Sequence, residues 1–416
     1  MEREKVLVST EETARQKEYM DKVRALHERR TTKPLAYVHT YGCQQNVADG
    51  ERLMGMLREM GCEFTDDTKR ADIVLMNTCA IRENAEKTVY GMLGQLTHTK
   101  AANPDQIICL CGCMAQQPRV AEKVKTSYRH VDLVLGPQAE WRFPELLYRA
   151  YTERGRVFSI DDEPGRIAED IPVYRAGGVS AWVSIMYGCN NFCSYCIVPY
   201  VRGRERSREP EKIIEECRGL IAEGYKEITL LGQNVDSYGN DLKDGTTFAG
   251  LLERLGQIEG KHRIRFMTSH PKDFNQSVVD VMEKYPSLCR NIHLPVQSGS
   301  NAVLKKMNRR YTREQYLDLV KIIKARLPEV GLTTDVMVGF PGETYEDFDD
   351  TLKLIEEARF SGAFCFVYSR RKGTPGYSME NQVPQEIKTE RIKKLIALQN
   401  RITKEISREH LSLIHI

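Results

Sequence analysis

Short apolar runs alternate with helical stretches along most of this 416-residue chain. In the first third, four runs predict strands, at residues 35–40, 72–77, 106–111 and 131–135. Strands that alternate with helices are typical of a parallel sheet with helices on its faces. We therefore predict an α/β fold that begins with a parallel α/β sheet domain.

A second alternating series begins near residue 179. Its predicted strands lie at 182–187, 228–231, 264–268, 292–296, 334–338 and 364–368. Its predicted helices lie at 211–223, 248–258, 274–285, 313–326 and 345–359. Six repeats are too few for the eight of a closed TIM barrel. The series therefore predicts a partial (β/α)6 barrel.

These patterns divide the chain into five predicted segments. Residues 1–33 are dense in charge and predict a solvated helix or mobile arm, and 34–151 form the first domain. Residues 152–178 carry turn signals at 163–166 and 175–178 and predict a connector, with a short strand at 157–160 packed between the domains. The barrel spans 179–383, and 384–416 predict a charged helix with an atypical apolar tail after His410.

Twelve cysteines occur without a signal peptide, which favours a reducing compartment where thiols bind metals. No apolar run reaches the length of a membrane span. We therefore expect a cytoplasmic protein. The net charge of +3 does not by itself indicate nucleic-acid binding, so that prediction must come from local clusters.

Three closely spaced cysteines, Cys189, Cys193 and Cys196, follow the first predicted strand of the second series. Such a loop can bring several thiolates to one metal centre, and thiolates hold iron–sulfur clusters. Three ligands do not fill a four-iron cluster, so either another residue completes it or one iron is left open. A zinc site and a group of buried core thiols are the alternatives.

Three further cysteines, Cys43, Cys79 and Cys113, follow the first three strands of the first domain. The carboxyl ends of parallel strands lie along one edge, where ligands bind. These thiols can therefore converge on one point, although each alone could be an ordinary buried cysteine. The other six cysteines are interpreted as core residues.

The later strands of the predicted barrel end in glycine and neutral polar residues, which allow close backbone approach and hydrogen bonding. Four arginines, Arg202, Arg204, Arg206 and Arg208, follow the cysteine loop and indicate anion binding. The alternative is a loop whose arginines pair with carboxylates of the protein. Further basic groups occur at 305–306, 309–310 and 370–372.

Together these features resemble the methylthiotransferase family of radical S-adenosylmethionine (SAM) enzymes, over residues 34–410. The resemblance is carried by the two cysteine sets and by the segments 40–46, 77–85, 200–208 and 232–239. Gln45 departs from the family pattern, in which many members carry Met. The family usually continues into a small RNA-binding β-barrel called TRAM, and we expect this chain to end in the helix that leads to it.

The resemblance implies a transferase that adds a methylthio group to C2 of N6-isopentenyladenosine at position 37 of tRNA. Two [4Fe-4S] clusters and SAM would be its cofactors, with Cys189, Cys193 and Cys196 holding one cluster and Cys43, Cys79 and Cys113 the other. The predicted SAM contacts are Tyr195, Gln233, Asn234, Gln297, Gly339 and Glu343, and the four arginines would hold RNA phosphates. The expected partners are the tRNA anticodon loop, an electron donor and a sulfur source.

Other functions are compatible with the same motifs. The substrate could be N6-threonylcarbamoyladenosine in tRNA or an aspartate of a ribosomal protein. A non-catalytic iron–sulfur RNA-binding protein is an alternative of another class, although a structural cluster needs no open iron. No protein acid or base is assigned from the sequence.

Overall fold

The computed structural model describes residues 6–80, 83–153, 155–160 and 165–411. The chain divides into two compact units, the first formed by Met1–Cys189 and Val198–Arg208, the second by Asn190–Ile197 and Glu209–Ile416. The five predicted segments stay a prediction. Parts of the arm, of the connector turn at 163–166 and of the apolar tail lie outside the described residues.

The first unit contains a six-stranded sheet in the order β2-β1-β3-β4-β5-β6. All neighbouring strands pair in parallel, as predicted. The strands are β1 (Leu35–Tyr41), β2 (Glu63–Phe64), β3 (Ile73–Thr78), β4 (Ile107–Gly112), β5 (Leu133–Leu135) and β6 (Val157–Ser159). The run at 157–160 thus forms the last strand of the first sheet, and its packing between two domains stays a prediction.

Helices cover both faces of this sheet because its central strands are apolar on both sides. β3 and β4 are buried along their whole length, the pattern expected of strands enclosed on both faces. Leu75 and Cys109 belong to the core on one face, and Val74 and Ile108 to the core on the other. The helices are α1 (Thr10–Glu28), α2 (Gln44–Glu59), α3 (Glu83–Ala102), α4 (Pro118–Ser127) and α5 (Phe143–Thr152).

The charged N-terminal segment forms a packed helix. Ser9 and Glu12 make a capping box at the start of α1, which satisfies backbone N–H groups that the helix itself leaves open. Its Val23 is buried, and the ring of its His27 meets the ring of Tyr151 in α5 edge-on. The segment is therefore a helix anchored on the first unit.

The run at 182–187 is interrupted and gives two strands, β7 (Ser180–Ser184) and β8 (Met186–Tyr187). β8 pairs antiparallel with β9 (Arg206–Ser207), and a short helix α6 (Val198–Arg202) precedes β9. This pairing draws the arginine-rich segment into the first unit, a placement that the charges alone did not predict.

The second unit continues the βα alternation. β10 (Glu227–Leu231) pairs in parallel with β11 (Arg263–Phe266), and β13 (Gly331–Val338) pairs in parallel with β12 (Asn291–His293) and β14 (Gly362–Val367). Every later strand of the predicted barrel is therefore present. The helices are α7 (Pro210–Ala222), α8 (Phe248–Gly256), α9 (Gln276–Lys284), α10 (Asn301–Lys306), α11 (Arg313–Arg326), α12 (Tyr345–Ala358), α13 (Pro375–Ser378) and α14 (Gln385–Leu411).

The predicted fold class, a parallel α/β sheet followed by βα repeats, is confirmed. The charged C-terminal helix is α14, which packs against β13 and β14 and buries Leu395 and Ile402. Within the described part of the chain, no helix has the length and apolar character needed to cross a membrane.

Candidate metal and cofactor sites

Three thiols follow neighbouring strands at the carboxyl edge of the first sheet. Cys43 comes shortly after β1, and Cys79 and Cys113 come directly after β3 and β4. Thr78 and Gly112, which precede Cys79 and Cys113, are paired in the sheet, so these two cysteines leave it in the same register. The parallel order of β1, β3 and β4 therefore brings three distant positions to one edge.

The electrostatics of these thiols show that they interact. A hydrogen bond with Cys79, with support from the charge of Arg202, lowers the pKa of Cys43 to about 6. Burial raises the pKa of Cys113 to about 11, although Arg202 opposes that shift. A thiolate is the form that binds metal, so the lowered pKa of Cys43 favours its metal-binding form. Cys113 would lose its proton only when a metal binds.

A buried arginine lies against the sulfur of Cys113. Arg202 donates a hydrogen bond from Nε to Cys113 Sγ over 3.1 Å and one from Nη2 to Asp49 Oδ2 over 2.6 Å. Asp49 also accepts a hydrogen bond from Gln45, at 3.0 Å. A buried arginine requires such a counter-ion, so Asp49 holds the guanidinium where it can stabilise negative charge on sulfur.

Amide side chains and a glycine fix the loops that carry the thiols. Asn46 Nδ2 donates to Asn77 Oδ1 over 3.2 Å and to Thr78 O over 3.3 Å, and Asn77 Nδ2 donates to Asn46 O over 2.7 Å. Gly112 has φ +90°, where a Cβ atom would lie 2.4 Å from both Asn77 Oδ1 and Thr78 O. Only glycine fits at this turn into Cys113.

The donor set consists of three thiols, the ligand type that iron–sulfur clusters use. Within the described residues, no group of three or more His, Cys, Asp or Glu side chains is arranged to hold a metal ion. A four-iron cluster binds each thiolate to a different iron and so needs more widely spaced sulfurs. Three soft thiols beside a cationic hydrogen-bond donor have the chemistry to hold such a cluster.

The CxxxCxxC segment lies where the two units divide. Cys189 belongs to the first unit, where its N–H donates to Gly203 O over 3.1 Å. Gly188 before it has φ +78°, and a Cβ there would lie 2.1 Å from Arg204 O. Cys193 and Cys196 belong to the second unit, and the N–H of Cys196 donates to Cys193 O over 2.9 Å.

The turn after α10 holds the second part of that segment. Asn308 Nδ2 donates to Asn191 O over 3.1 Å and to Phe192 O over 2.9 Å. Ser194 donates from its hydroxyl to Lys306 O over 2.7 Å. Because these bonds involve backbone carbonyls, they fix the course of the segment independently of what its thiols bind.

The thiol of Cys193 also faces a buried arginine. Arg309 Nη1 donates to Cys193 Sγ over 3.6 Å, and its Nε donates to the hydroxyl of Tyr311 over 2.9 Å. Each cysteine set therefore has one buried guanidinium bonded to one of its sulfurs. A guanidinium donor stabilises negative charge on sulfur.

The predicted SAM contacts in the second unit lie at strand ends. Asn234 is buried and donates to Asp273 Oδ2 over 2.7 Å, while its own Oδ1 has no hydrogen-bond partner in the described structure. Gln233, beside it, is half-buried. Gln297 is buried with φ +68°, and its N–H donates to Asp335 O over 2.8 Å.

Two more of these residues follow β13. Glu343 accepts a hydrogen bond from the N–H of Gly339 over 2.6 Å and one from Arg391 over 2.6 Å, in a fully buried ion pair. Tyr195 packs edge-on against Phe340 with ring centroids 6.5 Å apart. The prediction that these six residues contact SAM remains a prediction.

The four arginines after the cysteine loop do not share one environment. Arg202 is bonded as described, Arg206 donates to the carbonyls of Arg202 and Arg204, and Arg208 pairs with Glu169 at 2.7 Å. These three are buried, whereas Arg204 is exposed. Contact with RNA phosphates stays a prediction for the set, and Arg204 is the member whose exposure suits it.

Several polar residues of these sites were not predicted. Asp49 and Arg391 sit on helices and carry no motif, and Arg309 was noted only as part of a basic pair. Asp236 accepts hydrogen bonds from the N–H of His270 over 2.8 Å and from Ser269 over 3.3 Å, and burial raises its pKa to about 8. Burial also lowers the pKa of His270 to about 2. For His270 the available signal was its place shortly after the predicted strand 264–268, and for Asp236 its place in the segment 232–239.

Comparison with known proteins defines the class. Residues 183–355 match the model of the Radical SAM superfamily, and residues 35–136 match that of the uncharacterized protein family UPF0004. The radical SAM methyltransferase TsrM from Kitasatospora setae has a similar fold, with a TM-score of 0.61 and 16% sequence identity, covering 83% of this chain and 75% of TsrM. The chain is therefore a radical SAM protein.

Sequence relatives define the family more narrowly. The tRNA-2-methylthio-N(6)-dimethylallyladenosine synthase of Acetivibrio thermocellus is 52% identical over 410 residues, which are 98% of this chain and 85% of the relative. The protein of that name from Clostridium tetani is 51% identical, over 91% of this chain and 84% of its own. The chain belongs to this family of radical SAM methylthiotransferases, and the predictions of the family and of a transferase are confirmed.

Proposed function

We propose that this protein adds a methylthio group to C2 of N6-isopentenyladenosine at position 37 of tRNA, in the cytoplasm. The observation that carries the proposal is the second thiol set, Cys43, Cys79 and Cys113, at one edge of the first sheet. A radical SAM enzyme that only generated a radical would not need it. Its relatives at about half sequence identity are named for this reaction.

Two [4Fe-4S] clusters and SAM are the cofactors in this proposal. Cys189, Cys193 and Cys196 would hold the cluster that binds SAM, and Cys43, Cys79 and Cys113 would hold the other. When bound, these groups supply the radical, the sulfur and the methyl group of the reaction. An electron donor and a sulfur source are the further partners.

The residues of the chain position these groups and compensate their charge. Arg202 and Arg309 each donate to a cysteine sulfur from a buried position, which stabilises negative charge in an environment of low dielectric constant. The neutral polar atoms of Gln233, Asn234 and Gln297 are suited to hydrogen-bond SAM. The anticodon loop would have to present its adenine unstacked, as for other enzymes that act on bases.

The cofactor assignment is tested by anaerobic reconstitution of the full chain with iron and sulfide. We expect about eight irons per chain, and about four in either a Cys79→Ala or a Cys189→Ala variant. Cys189→Ala should abolish reductive cleavage of SAM, whereas Cys79→Ala should retain cleavage and stop sulfur insertion. Cys217→Ala, which removes a buried thiol of α7, is the control that should keep both activities. A Cys79→Ala variant that still forms product would refute the role of the second set.

The substrate is tested with anticodon stem-loop RNAs that carry isopentenyladenosine, threonylcarbamoyladenosine or unmodified adenosine. Mass analysis of the nucleosides should find the methylthio product only from the isopentenyl RNA. A product from the threonylcarbamoyl RNA alone would replace the proposed substrate and leave the chemistry in place.

A further inference from the structure

Two large aromatic side chains are exposed on β14, an edge strand of the second unit. Phe364 is 61% exposed and Phe366 is 48% exposed. Burying a phenyl ring in the core would stabilise the fold, so two exposed rings need an explanation. They alternate with Cys365 and so lie on the same face of the strand. An exposed pair of phenyl rings on one strand marks a surface that binds something apolar.

The phenyl rings lie on the face of the sheet that α14 does not cover. In the parallel register, Phe364 pairs with Asp335 and Phe366 with Met337. The alternate residues of β13 are buried: Leu332, Thr334, Val336 and Val338. Since α14 packs against both strands and the buried set lies on the opposite face, Phe364 and Phe366 share the open face with Asp335 and Met337.

A polar group lies beside the rings on this face. His293 of β12 is 3.0 Å from Thr333 Oγ1 through Nδ1 and 3.4 Å from Asp335 Oδ1 through Nε2. Its ring meets that of Phe364 edge-on, with centroids 5.8 Å apart. The face thus combines two phenyl rings with a carboxylate held in place by a histidine.

The chain directly after β14 is basic. Arg370 and Lys372 are exposed, and Arg370 donates to Tyr377 O over 3.0 Å, which fixes its guanidinium near the strand end. Aromatic side chains that accept bases, next to cations that follow the backbone, are the combination by which proteins bind single-stranded nucleic acid.

We infer that Phe364 and Phe366 receive the adenine of the substrate RNA with its N6-isopentenyl group, and that Asp335 accepts a hydrogen bond from its N6–H. This inference rests on the proposed function and adds the residues that select the substrate. The isopentenyl group is apolar and uncharged, so it can lie on phenyl rings. A threonylcarbamoyl group ends in a carboxylate, which the carboxylate of Asp335 would repel.

The test measures binding of the full chain to anticodon stem-loop RNAs with isopentenyladenosine or unmodified adenosine, and separately to SAM. The wild type should prefer the isopentenyl RNA by about tenfold or more. The Phe364→Ala/Phe366→Ala variant should reduce this preference to about one and leave SAM binding unchanged. Phe366→Leu, which keeps apolar contact without an aromatic face, should retain part of the preference. Ile322→Ala, an exposed apolar residue on α11, is the matched control and should change neither.

Three results would overturn the inference. They are a wild type without preference, a double variant that keeps the preference, and a double variant that loses SAM binding instead. Product analysis separates this failure from that of the proposed function. If the wild type methylthiolates isopentenyl RNA and the double variant keeps the preference, only the inference fails; if the wild type forms no such product, the proposed function fails with it.

Discussion

Arg202 donates a hydrogen bond to the sulfur of Cys113 over 3.1 Å while its guanidinium is paired with Asp49 at 2.6 Å. Both side chains of the ion pair are buried, so solvent screens the charge little. Hydrogen bonds to sulfur and local charge are among the factors that set the potential of an iron–sulfur cluster. We therefore expect Arg202 to favour the reduced state of the cluster proposed for Cys43, Cys79 and Cys113.

Replacing Arg202 with Gln should lower the reduction potential of that cluster by on the order of 60 mV, which corresponds to a tenfold change for one electron. The measurement is a redox titration followed by electron paramagnetic resonance, in a background where Cys189, Cys193 and Cys196 are Ala. Arg204→Gln changes an exposed arginine of the same segment and should leave the potential unchanged. An unchanged potential in the Arg202 variant would show that the bond only shapes the loop.

Asp236 should make folding stability depend on pH. Burial raises its pKa to about 8, whereas in the unfolded chain an aspartate titrates near about 4. Between these values the folded state binds the extra proton, so stability falls as pH rises from about 4 to about 8. Asp236→Asn keeps the acceptor for the N–H of His270 and removes the titration.

The expected result is that wild type loses up to about 3 kcal/mol more than Asp236→Asn between pH 5 and pH 7. Urea unfolding at a series of pH values measures this difference. Asp105→Asn, at an exposed position, serves as the control and should follow wild type. Parallel stability curves for wild type and Asp236→Asn would contradict the prediction.

The strands could be predicted from the sequence because their residues are buried on both faces and form continuous apolar runs, as at Val74 and Ile108. The convergence of Cys43, Cys79 and Cys113 followed from the rule that parallel strands share a carboxyl edge. The burial of Arg202 and Arg208 could not be predicted, because their partners Asp49 and Glu169 are distant in sequence. The break between β7 and β8 could not be predicted either, because both strands lie in one continuous apolar run.

The buried pair Glu343–Arg391 gives a stability prediction in the second unit. Both side chains are almost fully enclosed and their charged atoms are 2.6 Å apart. Arg391→Met would leave the Glu343 carboxylate buried without its counter-ion, at an expected cost of about 3–5 kcal/mol. The double variant Glu343→Gln/Arg391→Met should recover at least half of that loss, because no charge then remains buried.

Chemical denaturation of wild type, Glu343→Gln, Arg391→Met and the double variant forms a double-mutant cycle. Lys394→Met removes an exposed partner of Glu390 on the same helix and should change the unfolding free energy by less than about 0.5 kcal/mol. If the double variant were as unstable as Arg391→Met alone, packing of the long side chain and not its charge would explain the loss.

Gly112 shows how one glycine fixes the position of Cys113, a proposed cluster ligand. Its φ is +90°, and a Cβ atom would lie 2.4 Å from Thr78 O and from Asn77 Oδ1, so backbone and a bonded amide would both have to move. Gly112→Ala should therefore destabilise the protein by about 2–4 kcal/mol and displace Cys113, which follows directly.

Gly94→Ala is the matched control. Gly94 lies within α3 with nothing within 4 Å of an added Cβ, and the change should stabilise the protein by about 0.5–1 kcal/mol. Unfolding free energies and iron content after reconstitution measure both effects. We expect Gly112→Ala to retain about four irons, those of the other cluster, and Gly94→Ala to retain the wild-type content; a Gly112→Ala protein with wild-type stability and iron would show that this turn can relax without cost.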